Sequence, residues 1–173
     1  MTYIPDNTVC RYFPFSPPDN LLAIGWLDKE HPFPQGPVDK DFFLKLCDLI
    51  RHPWQPIACM GFHGCGLCQF SGGGDADIDG KRIPGRSSAN LFIPHEGTIF
   101  VAPELIAHYI DAHHYQPPKK FIEAVMACPP MDSMDFKKKL LENGGRELMK
   151  AMAANQPTAI EHSHSAQNPE PQG

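Results

Sequence analysis

Two short pairs of metal-ligating residues constrain this chain more than any other feature. Cys65 and Cys68 stand in the segment CGLC, and His108 and His113 follow in AHYIDAHHY. Zinc prefers thiolate and imidazole ligands, and structural zinc sites commonly draw four of them from two close pairs. The segment between the pairs is longer than in a minimal zinc finger. The spacing predicts a structural zinc site that joins a cysteine-containing turn to a helix.

The spacing of the two histidines sets a condition on that helix. Residues five apart lie about 140° apart around an ideal α-helix. His108 and His113 can therefore share one ion only if the helix end tightens or loosens, and the nearby Pro117 favours such a change. If the helix end is regular, His114 takes the place of His113.

Two further residues are reserve ligands. Cys59 and His63 precede the CGLC turn. His63 could join Cys65 and Cys68 to supply three ligands, with one of the helix histidines as the fourth. This second arrangement leaves one helix histidine free.

Catalytic metal chemistry has less support in the sequence. A catalytic zinc keeps one position open for water and needs a general base nearby. His95 and Glu96 are adjacent, whereas zinc deaminases use a His-x-Glu spacing. A thioredoxin-like pair needs a helix directly after the cysteines, and QFSGGG does not predict one. We expect a non-enzymatic domain, with a metal-dependent hydrolase that has an open zinc position as the alternative.

An acidic segment, DADIDG, matches the opening of a calcium-binding loop. It contains Asp75, Asp77 and Asp79, but Arg86 stands where the loop needs a bidentate glutamate. We expect an acidic, solvated loop, and the sequence leaves weak calcium binding open.

Charge argues against a nucleic-acid-binding zinc finger. The formal net charge is −5, and the lysines at 137–139 are flanked by acidic residues. Phosphate neutralisation supplies most non-specific nucleic-acid affinity. Weak nucleic-acid binding remains a further alternative, but we expect the domain to act through contacts with a protein partner.

Composition and the N-terminal residues indicate the compartment. The sequence contains no run of 18 apolar residues, so we expect no transmembrane helix. The N-terminal residues show no export signal. The six cysteines are then expected to be reduced, which favours metal binding over disulfides. We expect a cytoplasmic protein.

The hydrophobic pattern predicts an α+β fold with a small, mainly antiparallel sheet and three to four packed helices. We expect one globular domain over residues 1–154 and a disordered tail over 155–173. Predicted strands lie at 21–26 and 55–60 and in a hairpin over 90–102, while 71–86 reads as a loop. Predicted helices begin near 38, at Pro103, at 119, at 132 and at 146.

Three segments together resemble a family of uncharacterised bacterial proteins. They are GWLDKEHPFPQGPV, GFHGCGLC and NLFIPHEGTIFVAPELIAHYIDAHHYQPPKKFIEAV. The resemblance covers roughly residues 10–143, a size ordinary for a domain. It implies no activity, but it implies that Phe62 and His63 belong to one constellation with the two ligand pairs. The segment GGGDADIDGK looks like a local insertion relative to the family.

Overall fold

The computed structural model describes residues 2–57, 63–68, 75–78, 80–83, 86–87 and 89–155. The fold class is α+β, as predicted, and the described residues form five helices rather than three to four. The elements in chain order are β1 (Leu21–Ala23), α1 (Lys40–Arg51), β2 (His63–Gly64), β3 (Ala76–Ile78), β4 (Lys81–Ile83), β5 (Arg86–Ser87), β6 (Asn90–His95), β7 (Thr98–Pro103), α2 (Ile106–His113), α3 (Lys119–Met126), α4 (Met134–Glu142) and α5 (Gly145–Ala154).

Among the described residues, the central sheet has three strands in the order β1-β7-β6. β6 and β7 form the predicted antiparallel hairpin, while β1 pairs with β7 in parallel. Glu96 and Gly97 form the hairpin turn, with φ angles of 46° and 77°. Positive φ at both central residues is what a type I′ turn requires. Pro94 is tolerated in β6 because this strand lies at the edge of the sheet.

An N-terminal arm extends the sheet beyond β1. The amide of Cys10 donates to the carbonyl of Leu21 at 2.8 Å, and the amide of Ala23 donates to the carbonyl of Thr8 at 2.8 Å. Further along, the Asp6 carboxylate accepts hydrogen bonds from the amide of Gly25 and the hydroxyl of Tyr115. The arm therefore covers the outer edge of β1, which would otherwise present unpaired backbone groups to solvent.

The helices pack against the sheet and against each other. α3 and α4 contact β6, and α1 contacts both α2 and α3. α1 begins where the side chain of Asp39 accepts hydrogen bonds from the amides of Asp41 and Phe42, a standard N-cap. The largest fully buried side chains are Trp26, Tyr109, Tyr115, Phe42, Phe92, Phe121 and Phe136. Tyr109 belongs to α2, so this helix contributes directly to the aromatic core.

Three predictions about local structure are wrong. Residues 55–57 are not in a strand, and 58–60 lie outside the described residues. Pro103 is the last residue of β7 rather than the first of α2, which begins three residues later without a side-chain cap. The predicted loop over 71–86 contains β3, β4 and the first residue of β5 in its described parts.

The domain limits of 1–154 stay a prediction, and the predicted tail lies outside the described residues from 156 onward. Within the part of the chain that the structure describes, none of the helices has the length and apolar character needed to cross a membrane.

Candidate metal site

The two cysteines lie in a turn that follows a very short strand. β2 pairs with β5 in antiparallel fashion, and the chain then turns through residues 65–68. Cys65 is buried in the core, while Leu67 and Cys68 are partly buried and pack against it. A methyl group added at Gly66 would meet no atom within 4 Å, so the turn does not need glycine there for steric reasons. Packing of Cys65 and Leu67 on the core therefore positions this turn.

The two histidines lie on α2, whose last turn is wider than an α-helical turn. The amides of His114 and Tyr115 both donate to the carbonyl of Tyr109, five and six residues earlier, instead of four. His114 has a left-handed conformation, with φ of 56°. This is the loosened helix end that the spacing of His108 and His113 required.

A loop holds the end of α2 in place. The amide of Gly36 donates to the carbonyl of His114 at 3.0 Å, and the amide of Gln116 donates to the carbonyl of Pro34 at 2.9 Å. The side chain of Gln35 also donates to the carbonyl of His113 at 3.3 Å. These hydrogen bonds restrain the backbone beside the second histidine.

The four side chains come together in one group, which we call the Cys2His2 cluster (Cys65, Cys68, His108 and His113). The Cys65 sulfur lies 3.2 Å from the Nε2 atom of His113. The Cys68 sulfur lies 3.3 Å from Nε2 of His108 and 3.4 Å from Nε2 of His113. All four ligand atoms lie within 4.8 Å of one another. Such a group could hold a metal ion.

The two reserve ligands that the structure describes, His63 and His114, are not part of this group. His63 is half-buried, and its Nε2 atom lies 3.2 Å from the hydroxyl of Tyr12. His114 is exposed and lines a groove of about 460 Å³ beside the start of α1, together with Asp111 and Phe43. Cys59 lies outside the described residues. The structure therefore gives no support to the arrangement in which His63 is a third ligand of the turn.

The acidic segment forms no metal-ligating group among the residues whose positions are described. Asp75 and Asp77 are exposed, and Asp79 lies outside those residues. The carboxylate of Asp77 accepts a hydrogen bond from the amide of Gly80 at 3.0 Å, which stabilises the turn between β3 and β4.

Burial affects the protonation of the cluster. Burial lowers the pKa of His108, the neighbouring His113 lowers it further, and Asp111 opposes the shift. Burial also lowers the pKa of His113. Both imidazoles are therefore held in the neutral form that binds metals.

The thiol of Cys65 is affected in the opposite direction. Burial raises its pKa, the nearby Cys68 adds to the shift, and backbone amides oppose it. A cation that binds the sulfur must displace this proton.

Tyr109 is a residue of the site that the sequence pattern did not identify. In the sequence it fits the apolar face of α2, and only the structure shows how close it lies to both histidines. Its ring centroid lies 6.2 Å from that of His108 and 6.3 Å from that of His113. Burial raises the pKa of Tyr109, and the charges of Cys65 and Cys68 raise it further. The phenol is therefore protonated, and Tyr109 is a fully buried neighbour of both histidines.

Comparison with known proteins agrees with the resemblance seen in the sequence. Residues 2–126 match the model of a family described as Domain of unknown function (DUF7919). No curated protein and no solved structure matches the chain. The match begins and ends earlier than the expected 10–143, and it includes the whole Cys2His2 cluster but not α4 or α5. The chain belongs to this family.

Proposed function

We propose that this member of the DUF7919 family binds one structural zinc ion in the Cys2His2 cluster and acts through contacts with a protein partner. The observation that carries the proposal is the mutual distance of the four ligand atoms. Zinc–sulfur bonds of about 2.3 Å and zinc–nitrogen bonds of about 2.0–2.1 Å place tetrahedral sulfur and nitrogen ligands roughly 3.6 Å apart. The three sulfur–nitrogen distances of 3.2, 3.3 and 3.4 Å are close to this value.

The chemistry of the ligands favours zinc over harder cations. Two thiolates with two imidazoles are typical of structural zinc sites, whereas calcium and magnesium prefer oxygen ligands. Burial supports the same choice, since Cys65 and His108 are 4% and 6% exposed. Two buried ligands and two half-buried ligands suit an ion that joins a surface turn to a core helix.

Four protein ligands also favour a structural role over a catalytic one. A tetrahedral ion with four side-chain ligands has no position left for water or substrate. No carboxylate belongs to the cluster as the structure describes it. We therefore propose that the domain binds a partner and does not catalyse a reaction. A metal-dependent hydrolase is the alternative.

Metal analysis tests the ion. Protein purified without chelators should contain one equivalent of zinc, as measured by inductively coupled plasma mass spectrometry. Less than a tenth of an equivalent, with no uptake of added zinc, would end the proposal.

Neighbouring histidines supply a matched pair of variants. His113→Ala should lose the ion, whereas His114→Ala should retain it, because only His113 lies within the cluster. His63→Ala should also retain zinc. Loss of zinc from His63→Ala with retention in His113→Ala would favour the arrangement in which His63 is a ligand.

Cobalt substitution separates the structural role from the catalytic one. Cobalt(II) in a closed tetrahedral site should give a visible absorption spectrum that does not change when azide is added. A hydrolase-type site with an open position would bind azide and change its spectrum.

A further inference from the structure

The two sulfurs of the cluster are close enough to react with each other. Both lie within 3.4 Å of the same His113 Nε2 atom, and the ligand atoms lie within 4.8 Å of one another. Cys65 and Cys68 are separated by only two residues, so a local movement of the turn can bring the sulfurs to disulfide distance, about 2.0 Å. The pair is therefore placed to form a bond within one turn.

The two cysteines differ in exposure. Cys65 is 4% exposed and packs in the core, whereas Cys68 is only partly buried, as is His113. A small oxidant can therefore reach Cys68 from the solvent side of the cluster. Cys65 then lies behind it as the second thiolate of the pair.

The other described cysteines are protected from the same reaction. Cys10, Cys47 and Cys128 are buried. Burial raises the pKa of Cys10 and of Cys128 to about 11, so both are thiols at neutral pH. Because the thiolate is the nucleophile, such thiols react slowly, whereas metal-bound sulfurs are held deprotonated.

We propose that Cys65 and Cys68 form an oxidative modification site, at which a hydroperoxide converts the two zinc-bound thiolates into a disulfide and releases the ion. The inference rests on the proposed zinc site. Its consequence is regulation: oxidation would disconnect the turn at 65–68 from α2, and reduction would allow zinc to reconnect them.

The proposed oxidation proceeds in two steps. The Cys68 thiolate attacks one peroxide oxygen, the O–O bond breaks, and the sulfur becomes a sulfenic acid while the other oxygen leaves as an alkoxide that takes up a proton. The Cys65 thiolate then attacks the Cys68 sulfur, the S–O bond breaks, and the expelled hydroxide takes up a proton from solvent to form water. Two electrons pass from the sulfur pair to the peroxide, which yields an alcohol and water. The zinc ion leaves once it has lost both sulfur ligands.

The test uses the full chain in its zinc-loaded form, with zinc content measured before any oxidant is added. Hydrogen peroxide should release one equivalent of zinc to a chromogenic chelator. The intact mass should fall by two hydrogen atoms, and peptide mapping should find the Cys65–Cys68 disulfide. A thiol reductant followed by zinc should restore the starting mass and zinc content. Differential alkylation should show loss of the Cys68 thiol at least tenfold faster than loss of the Cys10 and Cys128 thiols.

Controls address the cysteines outside the pair. Cys59→Ser and Cys128→Ser should release zinc at the rate of the unchanged chain. A disulfide that includes Cys59, zinc release without any disulfide, or zinc retention under peroxide would each overturn the inference. Absence of zinc before peroxide is added would instead reject the proposed function, so the two failures are distinguishable.

Discussion

Asp6 is a half-buried carboxyl group that connects the N-terminal arm to the segment just after α2. Its carboxylate accepts hydrogen bonds from the hydroxyl of Tyr115 at 2.7 Å and from the amide of Gly25 at 2.8 Å. Burial nevertheless raises its pKa, because the loss of solvation outweighs both hydrogen bonds. The charged form of Asp6 therefore costs stability in the folded state.

Asp6→Asn tests this cost through its dependence on pH. The carboxyl group has a raised pKa in the folded state, so the folded chain binds more protons than the unfolded chain between the ordinary value of about 3.9 and the raised value. Relative to Asp6→Asn, the unchanged chain should be most stable below about pH 4 and should lose that advantage as pH rises. Urea denaturation of both proteins at several pH values measures this difference, in which the pH dependence of the metal site cancels. A difference that grows in favour of Asp6 as pH rises would contradict the assignment.

Gly144 has a backbone conformation that a larger residue cannot adopt easily. Its φ angle is 95°, and an added Cβ would overlap the side-chain amide of Asn20. That amide donates hydrogen bonds to the carbonyls of Gly97 and Asn143, so it is not free to move away. Gly144→Ala should therefore destabilise the fold by roughly 2–3 kcal/mol.

Gly66→Ala is the matched control, because a Cβ at Gly66 would meet open space. We expect a change in unfolding free energy within about 0.5 kcal/mol and full retention of zinc. Equal destabilisation by the two substitutions, measured by chemical denaturation, would show that steric overlap at Asn20 is not the cause.

At the level of elements, α4 depends on one side chain for its first turn. The hydroxyl of Ser133 accepts a hydrogen bond from the amide of Phe136 at 3.1 Å and donates to the carbonyl of Pro130 at 2.6 Å. Ser133→Ala should cost about 1 kcal/mol of stability, as N-cap removal commonly does. Ser133→Asn preserves an N-cap acceptor and should recover most of the loss in thermal denaturation. Equal stability of the serine and alanine forms would contradict the role of the cap.

Elements with a local signal could be predicted from the sequence. Asp39 or Pro37, with the apolar spacing that follows, predicts α1, and the structure places the N-cap at Asp39. NLFIP and TIFVA with Gly97 between them predict the hairpin. The start of α2 was missed because Pro103 pairs with Asn90 in the sheet, a tertiary effect that its preference for a first helical position could not reveal. β3 and β4 were missed because polar residues and glycine dominate their segment.

In the candidate site, too, some residues could be predicted from the sequence and others could not. Spacing predicted Cys65, Cys68, His108 and His113 as ligands, because metal chemistry needs those residue types at those intervals, and the structure brings these residues into a group that could hold a metal ion. It did not identify Tyr109, since a buried tyrosine on an apolar helix face looks like core. The choice between His113 and His114 also depended on the widened last turn of α2, which long-range hydrogen bonds from residues 34–36 help to hold.

At the level of the whole molecule, zinc should add to a fold that already has its own core. A ligand present at about 1,000 times its dissociation constant stabilises the folded state by about 4 kcal/mol. For a chain of this size, removal of zinc should then lower the melting temperature by about 10 °C.

Calorimetry of zinc-loaded and chelator-treated protein measures this change. Complete unfolding of the zinc-free form at room temperature would show that the aromatic core alone is insufficient. His114→Ala is the control and should show the same shift as the unchanged chain, because His114 lies outside the cluster.

The ion would join Cys68 to His108, which are 40 residues apart, and the β3–β4 hairpin lies between them. Such a cross-link would fix both ends of the connecting segment. The length of this segment can then vary at low cost, because doubling the number of residues in a closed loop costs only about 0.6 kcal/mol more in chain entropy. Relatives could therefore lengthen or shorten this segment without disturbing its anchored ends. Gly80, exposed at the hairpin tip with a φ angle of 73°, is for the same reason a suitable point at which to graft a reporter peptide.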